Sequence, residues 1–61
     1  MNENIKKLLN AAWYELQNYE DGHDLYMEIR SDLQGMSEEQ SLRYLYTYKF
    51  LQKYFSKFGI I

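Results

Sequence analysis

The residues able to do chemistry are few, and most gather in one short stretch. His23, the only histidine, stands among Glu20, Asp21, Asp24 and Glu28. Such a cluster suggests either a weak divalent-metal site or a general acid–base pair. Its spacing serves neither reading. Asp21-Gly22-His23-Asp24 lacks the alternating oxygen ligands of a calcium loop, and a lone imidazole makes a poor transition-metal site. Acids here are expected anyway, because the start of a helix favours carboxylates as caps and as partners of its dipole. Ser31, Ser37, Ser41 and Ser56 have no base near them in sequence to activate a hydroxyl. The absence of cysteine removes thiol catalysis, thiolate zinc sites and disulfides together. The expectation is no enzyme, no metal and no cofactor.

The C-terminal third offers a different chemistry. Lys49, Lys53 and Lys57 recur every four residues, with Arg43 further upstream and aromatic residues alongside. Phosphates attract cations and bases stack on rings, so this basic ridge supports an RNA- or DNA-binding helical dimer as one reading. Against it, Ser37-Glu38-Glu39-Gln40 would open a recognition helix with the wrong sign of charge. Ser41 is also polar where a helix-turn-helix buries an aliphatic residue. A solvated lysine face on an amphipathic helix accounts for the same spacing. Docking on a membrane surface is not expected, because the aromatics are mostly Tyr and a packed core would claim the same apolar arc.

Three helical stretches must position these groups. Over residues 3–20, Ile5, Leu8, Leu9, Ala12, Trp13, Leu16 and Tyr19 follow the spacing of one helix face. Asn2 or Asn4 can cap its start, and Trp13 is expected to be the largest anchor of the core. Gly22 is expected to end this helix through a positive φ. A second helix over 23–34 carries the narrow stripe Leu25, Ile29 and Leu33, and Gly35 sits where a terminating glycine belongs. Ser37 and Gln40 then form a capping box that opens a long helix over 37–58, a rod of ~33 Å. Within it Tyr44, Tyr48, Leu51, Phe55 and Phe58 repeat at spacings of four, three, four and three, with Tyr54 beside them. Leu42 and Leu45 point away from that stripe. If the second and third stretches fuse, the fold is instead a helical hairpin with a long second arm. Either way it is all-α.

Sixty-one residues allow one domain with one small core, which buries only about 60% of the surface that the unfolded chain exposes. With no disulfide available, help would come from self-association, and the two apolar faces of the long helix point the same way. Hydrophobic content of 46% argues against disorder, and the net charge of −2 hides an acidic middle and a basic C-terminal stretch. No apolar run approaches the ~18 residues of a membrane span, and the start lacks a signal-peptide pattern, so the expected setting is the cytoplasm. Seven Tyr and one Trp exceed what such a core can bury, and Tyr14, Tyr26, Tyr46 and Tyr54 are the ones expected to stay partly exposed.

These features point to a non-enzymatic protein–protein interaction module, a small regulator or inhibitor docking on a larger protein. The expected docking stripe is Tyr44, Tyr48, Leu51, Tyr54, Phe55 and Phe58, used for a partner or for a homodimer. Arg43, Lys49, Lys53 and Lys57 carry the nucleic-acid alternative. A small structural subunit of a phage or secretion assembly is a further alternative, and the Asn, Lys, Tyr and Ile usage suits an AT-rich bacterium or its phage. On this reading Phe55→Glu breaks an assembly and leaves the helices intact.

Overall fold

The structure, a computed structural model, describes residues 2–61. Four α-helices follow in order: α1 (Glu3–Leu16), α2 (Gly22–Leu33), α3 (Glu38–Tyr46) and α4 (Lys49–Lys57). Their ends are set largely by side chains near in sequence. The Asn2 carboxamide oxygen accepts from the amides of Asn4 and Ile5 at 2.7 and 3.2 Å, satisfying two donors that a helix start leaves free. The expected capping box is present: the Gln40 amide donates to Ser37 Oγ at 3.1 Å and the Ser37 amide to Gln40 Oε1 at 3.0 Å. Gly35 takes φ 86°, and the Met36 amide reaches back to the Leu33 carbonyl at 3.1 Å.

The expected single helix over 37–58 is broken in two. Tyr48 adopts an extended backbone (φ −84°, ψ 113°) between α3 and α4. No Gly or Pro makes this bend. Instead Thr47 Oγ1 donates to the Tyr44 carbonyl at 2.6 Å, and Gln52 Nε2 to the Tyr46 carbonyl at 2.9 Å. The Tyr46 carbonyl thereby gains a side-chain donor at the break, and the Tyr44 carbonyl a second one beside the Thr47 amide. The bend folds α4 back so that Tyr46 meets Phe55 edge to face at 4.9 Å across the joint. Leu45, Leu51 and Phe55 now enter one core with Ile5, Leu8, Leu9, Ala12, Leu16, Ile29 and Leu33. The case for self-association was that one long helix has two apolar faces to cover; the bend buries Leu45, Leu51 and Phe55 together, while Leu42 is half-buried and Tyr46 stays exposed.

The first helix also differs from its expected span. It stops at Leu16, and residues 17–21 turn through the short bonds Tyr19 amide to Leu16 carbonyl and Gly22 amide to Tyr19 carbonyl, both 3.0 Å. Gly22 does not end α1 by a positive φ; it opens α2 and is buried. A Cβ placed there would stand 1.7 Å from the Leu16 carbonyl oxygen, so glycine is needed for close approach of the two helices. Trp13 is not the core's anchor either. It is 43% exposed, because the innermost positions of α1 fall to Leu8 and Ala12 and the small Ala12 lets neighbouring helices close in. At the C-terminus Gly59 takes φ 71° and the Ile60 amide donates to the Phe55 carbonyl at 2.8 Å, docking Ile60 on the core and leaving Ile61 exposed.

Two outcomes follow for stability. Phe55→Ala should cost ~3–5 kcal/mol, comparable with the ~3–9 kcal/mol total expected for a chain this length. Circular dichroism should therefore show most helicity gone, and Phe55→Glu should do the same. Gly22→Ala should lower the melting temperature more than Gly35→Ala. The first forces overpacking against backbone, ~1–3 kcal/mol, and the second costs only the positive φ, ~1 kcal/mol.

Candidate partner-binding face

Helix α1 lies between α2 and α4, and its exposed strip is flanked by aromatics on both sides. On the α2 side, the Trp13 ring stands edge-on to Tyr26 at 5.3 Å and to His23 at 6.2 Å. Arg30 lies over the other part of the Tyr26 ring at 5.9 Å. Lys6 and Trp13, seven residues apart, share this flank. On the α4 side, Lys7 sits over Phe58 at 5.9 Å, and Tyr14 joins Ala11, Tyr54, Lys57 and Phe58 to line a groove. Lys53 and Lys57 flank the Tyr54 ring at 5.4 and 5.7 Å. Rings and cationic groups, the Arg30 guanidinium on α2 and lysine ammoniums on α1 and α4, thus neighbour one another across three helices, with Trp13 43% and Tyr14 63% exposed.

A clasp holds the α1–α4 half in place. The Tyr54 hydroxyl donates to Glu15 Oε2 at 2.5 Å, and Lys53 Nζ approaches the same oxygen at 3.2 Å. The hydrogen bond from Tyr54, then the Lys53 ammonium, holds the Glu15 carboxyl below its ordinary value of 4.5. The same hydrogen bond, with some burial, pushes the Tyr54 phenol from 10.0 up to about 12. A second phenol pair ties α3 to α2: Tyr44 donates to Asp32 Oδ2 at 2.6 Å and meets the Tyr48 hydroxyl at 2.7 Å. Since Tyr44 gives its only proton to Asp32, Tyr48 donates in that contact. Burial, then the bond to Asp32, raises the Tyr44 phenol well above its usual range.

The residues expected from sequence to dock are therefore scattered. Leu51 (0% exposed) and Phe55 (2%) are core, buried when the bend turns them inward. Tyr44 and Tyr48 belong to the Asp32 tie. Only Tyr54 and Phe58 reach the α1–α4 groove. The lysine ridge divides too: Lys53 and Lys57 join the groove, Lys49 is exposed at the start of α4, and Arg43 sits on α3 paired with Glu39 at 2.8 Å. The acidic middle also resolves by face. Asp24, Glu28 and Asp32 follow one ridge of α2, turned toward α3 by the Asp32–Tyr44 bond, while Arg30 faces α1. His23 is exposed and only 4.0 Å from Asp24, and the described residues contain no group of three or more ligating side chains. Among the described residues, no helix is long and apolar enough to cross a membrane.

Lys7 and Arg30 went unmarked in the sequence because each looks like an ordinary polar position on its own helix, and Tyr14, expected to stay partly exposed, was not tied to any neighbour. The available signal was weak. Lys7 and Tyr14, seven apart, form one edge of α1 next to its apolar stripe. Comparisons with protein-family models, curated proteins and solved structures return no match, so no function comes to this chain from a relative.

The clasp sets a pH dependence. Glu15 has a lowered folded value, so its contribution is complete above its unfolded value of 4.5 and fades as pH falls through the lower folded value. Tyr54 has a raised value, so its contribution is complete below 10.0 and is lost as pH rises through about 12. In Tyr54→Phe, a carboxyl NMR titration should find Glu15 moved back up toward 4.5, and the part of the acid-induced stability loss that Glu15 carries should shrink, the variant starting from a lower stability at neutral pH. An unchanged Glu15 titration would show that the hydrogen bond does not govern it.

Proposed function

We propose that this chain is a non-enzymatic interaction module, a small regulator or inhibitor that docks on another protein through the basic, aromatic face of α2, α1 and α4. The observation that carries the reading is Trp13. The only tryptophan is 43% exposed and braced edge-on by Tyr26, in a fold that fills its core with aliphatic residues and Phe55. Trp and Tyr bring large contact area at low entropic cost and dominate the energetics of interfaces. Their bracing by neighbouring rings fixes rotamers beforehand, which lowers the cost of binding. The carboxylate nearest the face, Glu15, is already committed to Tyr54 and Lys53, which suits a supporting role better than an acid–base one. A second copy of the chain would use the same face, because the stripe first expected to dimerise is largely internal.

The test is site-specific photo-crosslinking in cells that make the protein. A photoreactive side chain at position 14 should yield a discrete adduct, and one at position 28, on the acidic ridge, should not. Trp13→Ala should weaken formation of the adduct by ~2 kcal/mol or more in binding, a hot-spot loss, while the melting temperature moves little. Equal adducts from both positions, or none from position 14, would overturn the reading. An adduct of twice the chain's mass, with a dimer in sedimentation equilibrium, would make the partner another copy.

A further inference from the structure

We infer that the α1–α4 groove receives an acidic segment of a partner protein, with carboxylates at Lys7 and Lys57 and an apolar or aromatic side chain between them. This rests on the docking reading above and names the chemistry of its partner. The groove has a volume of about 410 Å³ and is lined by Lys7, Asn10, Ala11 and Tyr14 from α1 and by Tyr54, Lys57 and Phe58 from the end of the chain, so each side brings one lysine. The ammonium groups around it are not equivalent. Lys53 has Glu15 Oε2 at 3.2 Å and is neutralised within the fold. Among the described residues, Lys7 and Lys57 have no carboxylate within 4.0 Å. Each instead has a ring beneath it, Phe58 at 5.9 Å and Tyr54 at 5.7 Å. A ring satisfies an ammonium on one side only and leaves its other donors pointing outward. Two such cations, in a lining shared with Ala11, Tyr54 and Phe58, match an acidic–apolar–acidic pattern.

The charge of the rest of the molecule selects the source of the anion. A domain that holds nucleic acid electrostatically has a pI above about 9, whereas this chain has a net charge of −2 and a pI near 5.2. A short acidic segment meets only the local pair of lysines.

The experiment is an NMR titration of the isotope-labelled full chain with three probes: a random glutamate–tyrosine copolymer, polyglutamate, and oligothymidylate. The copolymer should bind tightest, with shifts centred on Lys7, Ala11, Tyr14, Tyr54 and Phe58. Lys7→Glu/Lys57→Glu should weaken it about tenfold or more, the loss of two partly desolvated charge pairs, and added salt should weaken it as well. Lys7→Gln/Lys57→Gln, which keeps side-chain bulk, should show a smaller loss, and Lys49→Glu should show none. Copolymer binding that ignores the Lys7/Lys57 variants would overturn the inference, as would tighter binding of oligothymidylate. If no probe binds while the position-14 adduct still forms, the acidic partner is excluded and the docking reading stands. If the adduct is absent too, both fall.

Discussion

A straight helix from Ser37 to Phe58 would set Leu45 and Leu51 about 120° apart around its axis, at ~100° per residue. One thin layer of neighbours cannot bury both. It would also be ~33 Å long, longer than the 30 Å greatest extent of the folded molecule. The extended residue Tyr48 removes both difficulties, turning Leu45, Leu51 and Phe55 onto a common core. Nearly everything else depends on that turn. It puts α4 against α1, brings Tyr54 within reach of Glu15, and leaves Tyr44 beside Asp32 instead of on a free stripe. A chain with no disulfide and little volume thus gathers the apolar residues of its last two helices into one core with the first by bending once.

The polar ties follow the same economy. Each links elements that the apolar core already brings near, and each uses a phenol as donor to a carboxylate. A tyrosine contributes ring area to the core edge and a directional bond at its tip, so one side chain supplies both packing and register. Tyr44 does this between α3 and α2, and Tyr54 between α4 and α1. That use accounts for part of the tyrosine richness, and Tyr14 and Tyr19, at 63% and 67% exposure, are the most exposed of the tyrosines that make no such bond.

What could be read in advance divides along physical lines. Asn2, Gly35 and the Ser37–Gln40 box were legible because their bonds join residues within three positions. The apolar stripe of α1 was legible because 3.6-residue periodicity is local. The bend was not, since Thr47 and Gln52 are ordinary helix-surface residues until the chain turns and frees carbonyls for them. The heptad pattern actively concealed it, because Tyr44, Tyr48, Leu51, Phe55 and Phe58 keep strict register straight across the break. Trp13 was misplaced because its position on the wheel borders the core, and only the seating of α2 decides which side of that border it takes. The candidate face was therefore visible in fragments. Tyr54, Phe58, Lys53 and Lys57 were marked for two different roles, and their union with Lys7 and Tyr14 required knowing that the first and last helices are neighbours.

That neighbourhood has a consequence for the lifetime of the chain. The groove exists only while α4 is seated on α1, since each helix supplies about half of its lining. Whatever occupies it spans the seam between the first helix and the last and opposes their separation. Occupancy then adds to folding free energy by mass action, roughly 2.7 kcal/mol when the occupant stands at a hundred times its dissociation constant. For a domain of such modest reserve, this is the difference between frequent and rare exposure of unfolded chain to proteases. If the proposed partner fills the groove, an unoccupied copy would be cleared faster than an engaged one, and the amount of protein in a cell would track the amount of that partner with no dedicated control.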